Sequence, residues 1–314
     1  MRTFRNAMSI MTFILVLCLG AFAGCDTEDS PVHVDWDKRE ELRLEPQREA
    51  LTYAYLPQYS HTVSYQRHNK LVEYLRRTTG LPIRQVYPDT FDEHIHMVAQ
   101  GKIDISFSNP MVYAKIAEQF GARAFARIVE PNGRAQFRGQ IICRRDNKAI
   151  TSLADCRGKS WIAVDPYSAG GYLFDLGVFL EHGLTREDFS EIAFAPGPGG
   201  KQEKVALAVF AGRYDIGSIR EGTLDIVKDT IDVDQLRILA HTPWYPGWVY
   251  AARKGLPDKT IAKIRQALLD LDLAHPRDQE ILDRAGFKAI IPSSDADYEP
   301  VRALMRTIGV EGDA

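Results

Sequence analysis

The chain has 314 residues, of which 45% are hydrophobic, and its formal net charge at pH 7 is −3. This supplies enough apolar material for one large domain or two lobes of ordinary size, and the absence of a basic stripe argues against nucleic-acid binding. The four cysteines, Cys18, Cys25, Cys143 and Cys156, lie in no CxxC pair and no histidine-rich cluster, so we expect no metal site.

Residues 1–24 are typical of a lipoprotein signal peptide. Arg2 and Arg5 precede a mostly apolar run, residues 8–22, which is short for a membrane span. The run ends at Ala23-Gly24-Cys25, which resembles the bacterial lipobox, so we expect Cys25 to be lipidated. A plain signal peptide cut near Ala23, or an uncleaved anchor, is the alternative.

Residues 25–48 are polar and charged without a sustained apolar face, and this composition predicts a tether between lipid and globule. Asp26 resembles the signal that keeps some lipoproteins at the inner membrane, so we expect a periplasmic, membrane-anchored protein. Loss of residues 1–24, which hold two arginines and no acidic residue, would take the net charge from −3 to −5. In an oxidising envelope Cys143 and Cys156 could pair, but the sequence leaves this open.

The elements that follow alternate between strands and helices. In the first half, the pattern of apolar residues predicts strands at 51–56, 81–87 and 103–107 and helices at 64–78, 92–100 and 110–120. A strand at 140–143 opens a second half, in which segments 160–184, 191–212 and 214–219 repeat the alternation. Short apolar runs at 238–239 and 250–252 precede a C-terminal third that we expect to be helical, at 259–273, 279–285 and 297–308.

This βαβα pattern predicts an α/β fold with parallel sheets flanked by helices. Polar crossings near residues 134–139 and 241–247 join the two halves. We therefore expect a bilobal clamshell of two doubly wound lobes joined by two hinge crossings. Lobe 1 would hold residues 49–136 and 243–314, and lobe 2 would hold residues 137–242.

Three strand-to-helix junctions share a chemistry that suits an anion. Their polar and small residues are Ser108 and Asn109 in the first junction, Ser168, Ala169, Gly170 and Gly171 in the second, and Lys201 and Gln202 in the third. In doubly wound sheets, ligands bind beyond the carboxyl ends of strands, where free backbone N–H groups and the helix dipole attract negative charge. Ordinary βα turns with capping residues are the alternative at each junction taken alone.

Four further residues could contact the same ligand. Tyr59 and Ser60 follow the first strand and could close over it, unless Tyr59 simply packs on its lobe. Arg220 and Glu221 follow another strand; the arginine could clamp an oxyanion, and the alternative is an internal ion pair.

We expect the residues outside these junctions to contribute to packing rather than to ligand binding or catalysis. We interpret Trp244, Tyr245 and Trp248 as hinge or core packing rather than as the wall of a ligand site. The histidines show no catalytic spacing, and no nucleophile elbow or paired carboxylates are present. We therefore expect neither an enzyme nor a bound cofactor.

Residues 50–290 resemble the phosphate/phosphite/phosphonate-binding family of ABC-transporter substrate-binding proteins. The matching motifs are Ser108-Asn109-Pro110 with Tyr113, Asp165-Pro166 with Ser168 to Tyr172, Gly200 to Glu203, and Pro246-Gly247. The resemblance implies a type II periplasmic-binding-protein fold and ligand contacts from Ser108, Asn109 and Tyr113. It also implies that an ABC permease and its ATPase are the partners.

The chain departs from the family pattern at two places. The family often has Ser or Thr at the positions of Ala169 and Gly170, so backbone N–H groups must do more of the binding here. The family often has His where Gln202 stands, and Arg220, Lys201 or Lys204 would then supply the positive charge.

These observations predict a monomeric, lipid-anchored receptor that delivers a small phosphorus oxyanion to an ABC importer. The sequence does not choose among phosphonate, phosphite and phosphate. Two alternatives remain: a binding protein for another oxyanion or organic acid, such as sulfonate or nitrate, and a lipoprotein that reports its ligand to a membrane sensor kinase.

Overall fold

The computed structural model describes residues 50–199 and 201–310. The predicted signal peptide, the tether, Cys25 and Gly200 lie outside the described residues.

The first half follows the predicted alternation. Its elements are β1 (Leu51–Tyr55), α1 (His61–Thr79), β2 (Ile83–Val86), α2 (Phe91–Ala99), β3 (Ile105–Ser108), α3 (Pro110–Phe120) and β4 (Arg123–Val129). Strand β1 lies between β2 and β3 and is parallel to both, with a helical crossover after each of β1 and β2. Helix α1 ends at Gly80, whose φ of 67° is a left-handed conformation that glycine adopts without strain.

The second half builds its own sheet. Its elements are β5 (Gln136–Phe137), β6 (Gly139–Arg144), β7 (Ser160–Ala163), a π-helical turn (Ala169–Leu173), α4 (Phe174–Glu181), β8 (Glu191–Phe194), α5 (Lys201–Phe210), β9 (Ile216–Arg220), α6 (Thr223–Val227) and β10 (Leu236–His241). The strand order is β10-β6-β9-β7-β8, and β7 is parallel to both β8 and β9. Strand β6 is antiparallel to β9 and β10.

The chain then returns to the first sheet. The remaining elements are β11 (Tyr245–Pro246), β12 (Val249–Ala252), α7 (Asp258–Leu269), α8 (Pro276–Ala285), β13 (Ala289–Pro292) and α9 (Glu299–Thr307). The first sheet has the order β13-β4-β12-β3-β1-β2, and the short ribbon β5–β11 carries the two crossings between the sheets. The fold is therefore bilobal; we call the six-stranded sheet with its helices the first lobe and the five-stranded sheet with its helices the second lobe.

Each lobe has an apolar core on the faces of its sheet. In the first lobe, Phe107 packs against Tyr250 with ring centroids 4.5 Å apart and against Trp248 at 5.3 Å. In the second lobe, Trp161 and Ile162 of β7 point into separate clusters on opposite faces. Burial on both faces explains why the strands read as continuous apolar runs in the sequence.

Two histidines belong to the first core. His68 Nδ1 lies 2.8 Å from the Tyr53 hydroxyl, and His94 Nε2 lies 2.7 Å from the Ser106 hydroxyl. Burial lowers the pKa of His68 to about 3, with Arg67 adding to the effect, and burial lowers the pKa of His94 to about 3 as well. Both side chains are therefore neutral core residues.

Several expectations need correction. Strands β4 and β13 fall in segments where no strand was expected, and β13 interrupts the C-terminal third that was expected to be helical. The helix expected after Ser168 starts with a π-helical turn that is kinked at Gly171, whose angles of φ −133° and ψ 15° are not helical. The sequence left open whether Cys143 and Cys156 pair, and in the structure both are buried free thiols.

None of the helices in the described part of the chain has both the length and the apolar character needed to cross a bilayer.

Candidate ligand-binding site

The turn after β7 forms a buried cradle. Asp165 shapes it, because its carboxylate accepts the Tyr167 N–H at 2.9 Å and its carbonyl accepts the Ser168 N–H at 2.9 Å. Ser168, Ala169, Gly170 and Gly171 follow, all of them buried. The start of the π-helical turn therefore lies where the sequence predicted an anion site, although its first turn is wider than an α-helix.

The two glycines of this turn are required by packing. A Cβ on Gly170 would lie 2.6 Å from the Phe137 ring, and one on Gly171 would lie 2.4 Å from the Val164 side chain. A serine or threonine at position 170 therefore has no room in this backbone. Phe137 therefore restricts position 170 to glycine in this backbone.

The cradle borders a small cavity of about 20 Å³, which we call the cradle cavity. This volume is close to the minimum that a single water needs. Its walls come from both lobes and are formed by Pro57, Gln58, Phe91, Asn109, Phe137, Val164, Ser168, Ala169, Gly170, Lys201, Gln202, Arg220 and Trp248.

Ser168 lines the cradle cavity although only 4% of its surface is exposed. It precedes the π-helical turn, but its side chain makes no capping hydrogen bond. The alternative reading of Ser168 as a simple capping residue is therefore wrong.

The first lobe contributes Asn109 to the opposite wall. Its Oδ1 accepts the Val112 N–H at 2.9 Å and caps α3, while its Nδ2 donates to the Tyr167 carbonyl at 3.0 Å. Asn109 thus ties the two lobes together, and both ends of its amide are engaged. Ser108, one residue earlier, is fully buried, and its hydroxyl has no hydrogen-bond partner among the described residues, but Ser108 lines no cavity described here.

Tyr113 lies elsewhere. Its hydroxyl donates to Asp295 Oδ1 at 2.7 Å and accepts the Ala124 N–H at 3.1 Å. Burial raises the pKa of this hydroxyl, and Asp295 raises it further. Tyr113 lines neither cavity at the cradle, so its predicted ligand contact is not supported and its contacts are structural.

The third junction brings Lys201 and Gln202 to the cradle cavity. Lys201 Nζ lies 2.6 Å from Asp165 Oδ2, so its charge is paired with the residue that shapes the turn. Gln202 Oε1 accepts the Arg220 N–H at 2.7 Å, which leaves its amide nitrogen as the donor for a ligand. Lys204 donates to the Pro196 carbonyl at 3.0 Å and lines neither cavity, so it is not the residue that supplies charge.

Arg220 lies at the centre of the site. Its Nη2 is 2.5 Å from Glu130 Oε2 of the first lobe, and its guanidinium lies 5.0 Å from the centre of the Phe137 ring. Burial is the largest single effect and lowers the pKa of Arg220, but Glu130, Tyr59 and Tyr55 together outweigh it, and the net effect raises the pKa above its ordinary value. The guanidinium therefore stays charged inside the protein.

Glu221 forms an internal ion pair, as the alternative interpretation held. Its partner is Arg138, whose Nε donates to Glu221 Oε1 at 2.9 Å and whose Nη2 donates at 2.5 Å. Arg138 in turn lies 4.4 Å from the centre of the Trp244 ring. Glu221 is thus held at the hinge crossings, facing the wider opening described next.

A larger cleft of about 790 Å³ adjoins the cradle cavity, and we call it the outer cleft. The two share the side chains Gln58, Phe137, Gln202, Arg220 and Trp248. Tyr59 and Glu221 line the outer cleft only.

Ser60 contacts the seam between the lobes rather than a cavity. Its hydroxyl accepts the Val63 N–H at 3.4 Å and caps α1. A Cβ on Gly199 would lie 2.6 Å from the Ser60 nitrogen, so the loop after β8 lies directly against the first lobe here. The lobes are therefore in close contact on this side of the site.

Sequence reasoning missed several residues of the site. Phe91, Phe137, Glu130 and Gln140 line the cavities but stand outside the three junctions. Trp248 packs on Tyr55 and Phe107 as predicted for a core residue, yet it also lines both cavities. Within residues 50–199 and 201–310, no group of three or more His, Cys, Asp or Glu side chains could hold a metal ion.

A family model for the periplasmic substrate-binding protein of phosphonate ABC transporters matches residues 53–298. The chain belongs to this phosphonate-binding family. The family is a substrate-binding component of a transporter rather than an enzyme.

Individual members of the phosphonate-binding family are distant in sequence. The chain is 25% identical to the phosphate-import protein PhnD of Mycolicibacterium smegmatis, over 88% of this chain and 91% of that protein. It is 22% identical to the phosphonates-binding periplasmic protein of Escherichia coli, over 83% of this chain and 77% of that protein. The structure of PhnD1 from Prochlorococcus marinus in complex with methylphosphonate matches 83% of this chain and 98% of its own, with a TM-score of 0.72 and 15% identity. This structural match shows the shared bilobal periplasmic-binding-protein fold.

Proposed function

We propose that this protein is the lipid-anchored receptor of an ABC importer and that it binds the oxyanion head of a phosphonate at the cradle. The observation that carries the proposal is that Ser168, Ala169 and Gly170 border a cavity whose walls also include Arg220 and Gln202. Backbone N–H groups, a hydroxyl, an amide and a guanidinium are the donors that a phosphorus oxyanion needs.

Binding would work through closure of the two lobes. The cradle belongs to the second lobe, whereas Gln58, Asn109 and Trp248 of the first lobe complete the cavity. Closure excludes water, and each hydrogen bond to the anion is stronger in the drier site. We place the hinge at the crossings between lobe 1 (residues 49–136 and 243–314) and lobe 2 (residues 137–242).

The names of the relatives support a phosphorus ligand but differ among themselves, since one is called a phosphate-import protein and the other a phosphonates-binding protein. We favour phosphonate because the outer cleft gives an organic substituent somewhere to go. Isothermal titration calorimetry with phosphate, phosphite, methylphosphonate, sulfate and nitrate tests this choice. Methylphosphonate should bind with the highest affinity, and preferential binding of sulfate or nitrate would overturn the proposal.

The motif Ala23-Gly24-Cys25 supports the lipid anchor. We expect the variant Cys25→Ser, expressed in a bacterial host, to leave the membrane fraction or to accumulate with its leader uncut. Unchanged mature mass and unchanged membrane fractionation would overturn lipidation while leaving the ligand proposal intact. Delivery to an ABC permease and its ATPase would then be measured as phosphonate uptake that requires this receptor.

A further inference from the structure

The cradle turn of the second lobe is held from the first lobe at Tyr167. The Tyr167 carbonyl accepts a hydrogen bond from Asn109 Nδ2 at 3.0 Å, and the Lys115 ammonium lies 4.8 Å from the centre of the Tyr167 ring. Asn109 caps α3, and Lys115 lies in the same helix. One helix of the first lobe therefore contacts both the backbone and the side chain of a single residue of the second lobe.

The hydrogen bond from Asn109 acts on the peptide unit that precedes Ser168. A peptide unit is planar, so the carbonyl of Tyr167 and the N–H of Ser168 turn together. The Ser168 N–H donates to the Asp165 carbonyl at 2.9 Å within the second lobe, whereas the Tyr167 carbonyl accepts from the first lobe. Separation of the lobes would break the second bond and leave the first. The start of the cradle is therefore fixed from both sides when the lobes are in contact.

The side chain of Tyr167 also crosses the seam between the lobes. It is half-buried and packs against an apolar cluster that is built mainly from the first lobe. Lys115 is half-buried as well, and a partly desolvated ammonium is attracted to the face of an aromatic ring more strongly than an exposed one. The contact between Lys115 and Tyr167 therefore stabilises the lobes in their closed arrangement.

These contacts lie outside the space that a ligand would occupy. Lys115 and Tyr167 line neither the cradle cavity nor the outer cleft. Asn109 does line the cradle cavity, but its Oδ1 caps α3 and its Nδ2 donates across the seam. An effect of the Tyr167 ring on ligand binding must therefore act through the position of the cradle turn and of the lobes.

We propose that Tyr167 is a positioning residue, through which Asn109 and Lys115 of the first lobe fix the cradle turn when the lobes close. We call these three residues the interlobe clasp. The clasp stabilises the closed form together with the ligand, so its loss should speed ligand release and lower the apparent affinity. This inference rests on the proposed function, since it assumes that the ligand occupies the cradle and that the lobes close over it.

The test measures methylphosphonate binding by variants that weaken the clasp. Lys115→Met removes the cation and Tyr167→Leu removes the ring, and each should lower the affinity about two- to fivefold, the scale of a partly buried cation–π contact. Faster release should account for most of the loss. Stopped-flow tryptophan fluorescence follows release, because Trp248 lines both cavities. Since the two residues form one contact, the double variant should bind no more weakly than the weaker single variant.

Conservative variants and matched controls separate the clasp from effects of charge and capping. Lys115→Arg keeps a cation over the ring and should restore the affinity lost in Lys115→Met. Lys263→Met removes the same charge from an exposed position on α7, and Tyr65→Leu removes an exposed ring; both should bind like the wild type. Asn109→Ser keeps a capping residue for α3 but loses the donor to Tyr167, so it should speed release with little loss of stability.

Three results would overturn the clasp and leave the proposed function standing. The first is unchanged affinity and release in both Lys115→Met and Tyr167→Leu. The second is a double variant whose loss equals the sum of the single losses, which would mean that the two residues act separately. The third is a lower melting temperature with unchanged binding, which would reduce the contact to packing. Failure of the wild type to bind methylphosphonate would overturn the proposed function, and this inference with it.

Discussion

Arg220 and Glu130 join the two lobes through an ion pair with 2.5 Å between Nη2 and Oε2. The arginine ends β9 of the second sheet, and the glutamate follows β4 of the first. Because Arg220 also lines the cradle cavity, the Glu130 carboxylate occupies a guanidinium that a bound oxyanion would use. If the oxyanion binds Arg220 as proposed, Glu130 competes with it for the same donor.

Replacing Glu130 by Gln should strengthen anion binding. The substitution preserves size and removes one negative charge, so we expect methylphosphonate to bind about three- to tenfold more tightly, as for one partly screened charge contact. Calorimetry measures the effect, and Asp258→Asn, in an exposed ion pair with Arg123, is the control. Weaker binding by Glu130→Gln would show instead that Glu130 positions Arg220 for the ligand.

Replacing Ser168 by Ala should weaken binding of methylphosphonate. The Ser168 hydroxyl makes no capping bond in the protein, so its loss should cost about 1.5–3 kcal/mol of binding free energy, the scale of a hydrogen bond to a charged group. Stability should change little. Ser152→Ala, which removes an exposed hydroxyl bound to Asp155, is the control for titration calorimetry. Equal affinities of wild type and Ser168→Ala would place the hydroxyl outside the ligand site.

Introducing a serine hydroxyl at position 170 should damage the site rather than improve it. In Gly170→Ser the new Cβ meets the Phe137 ring at 2.6 Å, and overpacking of this kind costs about 1–3 kcal/mol of stability. Thermal denaturation and methylphosphonate titration should both show losses. The double variant Gly170→Ser with Phe137→Ala should recover part of the affinity, and a Gly170→Ser protein with full stability and affinity would contradict the steric argument.

Protein stability should fall in mild acid because of the two buried histidines. Their native pKa values are about 3 and their ordinary value is 6.5, so between these pH values the unfolded chain binds more protons than the native protein. The stabilisation is complete above pH 6.5 and is lost as the pH falls, by about 1.4 kcal/mol per pH unit for each histidine.

Urea denaturation between pH 5 and 6.5 measures this slope. His94→Gln should reduce the pH dependence of the unfolding free energy by the contribution of one histidine, even if the variant is less stable at every pH. His275→Gln, at an exposed position, should leave it unchanged. An unaltered slope in His94→Gln would mean that His94 can be protonated in the native protein.

The alternation of strands and helices in the first half could be predicted because the strands are buried on both faces and the helices end at glycines. Strand β4 was missed because Arg123 and Arg127 interrupt its apolar residues and it starts two residues after the glycine that ends α3. Strand β13 was missed because four residues, Ala289–Pro292, are too short to show a period of two beside a long helical segment.

The site could be predicted where it depends on local chain order. Ser168, Gly170, Gln202 and Arg220 follow strands whose carboxyl ends meet, and all of them line the cradle cavity. Glu130, Gln140 and Phe137 reach the site from the crossings, where no local pattern marks them. Tyr113 shows the opposite error, since it stands near Asn109 in sequence but lines neither cavity and donates to Asp295, which is distant in the chain.

Because Gly199 lies against the Ser60 backbone, the size of the residue at position 199 limits how closely the two lobes can approach. The φ of 62° at Gly199 already disfavours any side chain, and a Cβ there would press on the Ser60 backbone. A larger residue at 199 would hold the lobes apart and make the open form the ground state, without altering any group proposed to touch the ligand. The apparent affinity would then fall in proportion to the population of the closed form. Comparing the affinities of the wild type and a variant at position 199 would therefore measure how much the substitution changes the free energy of closure.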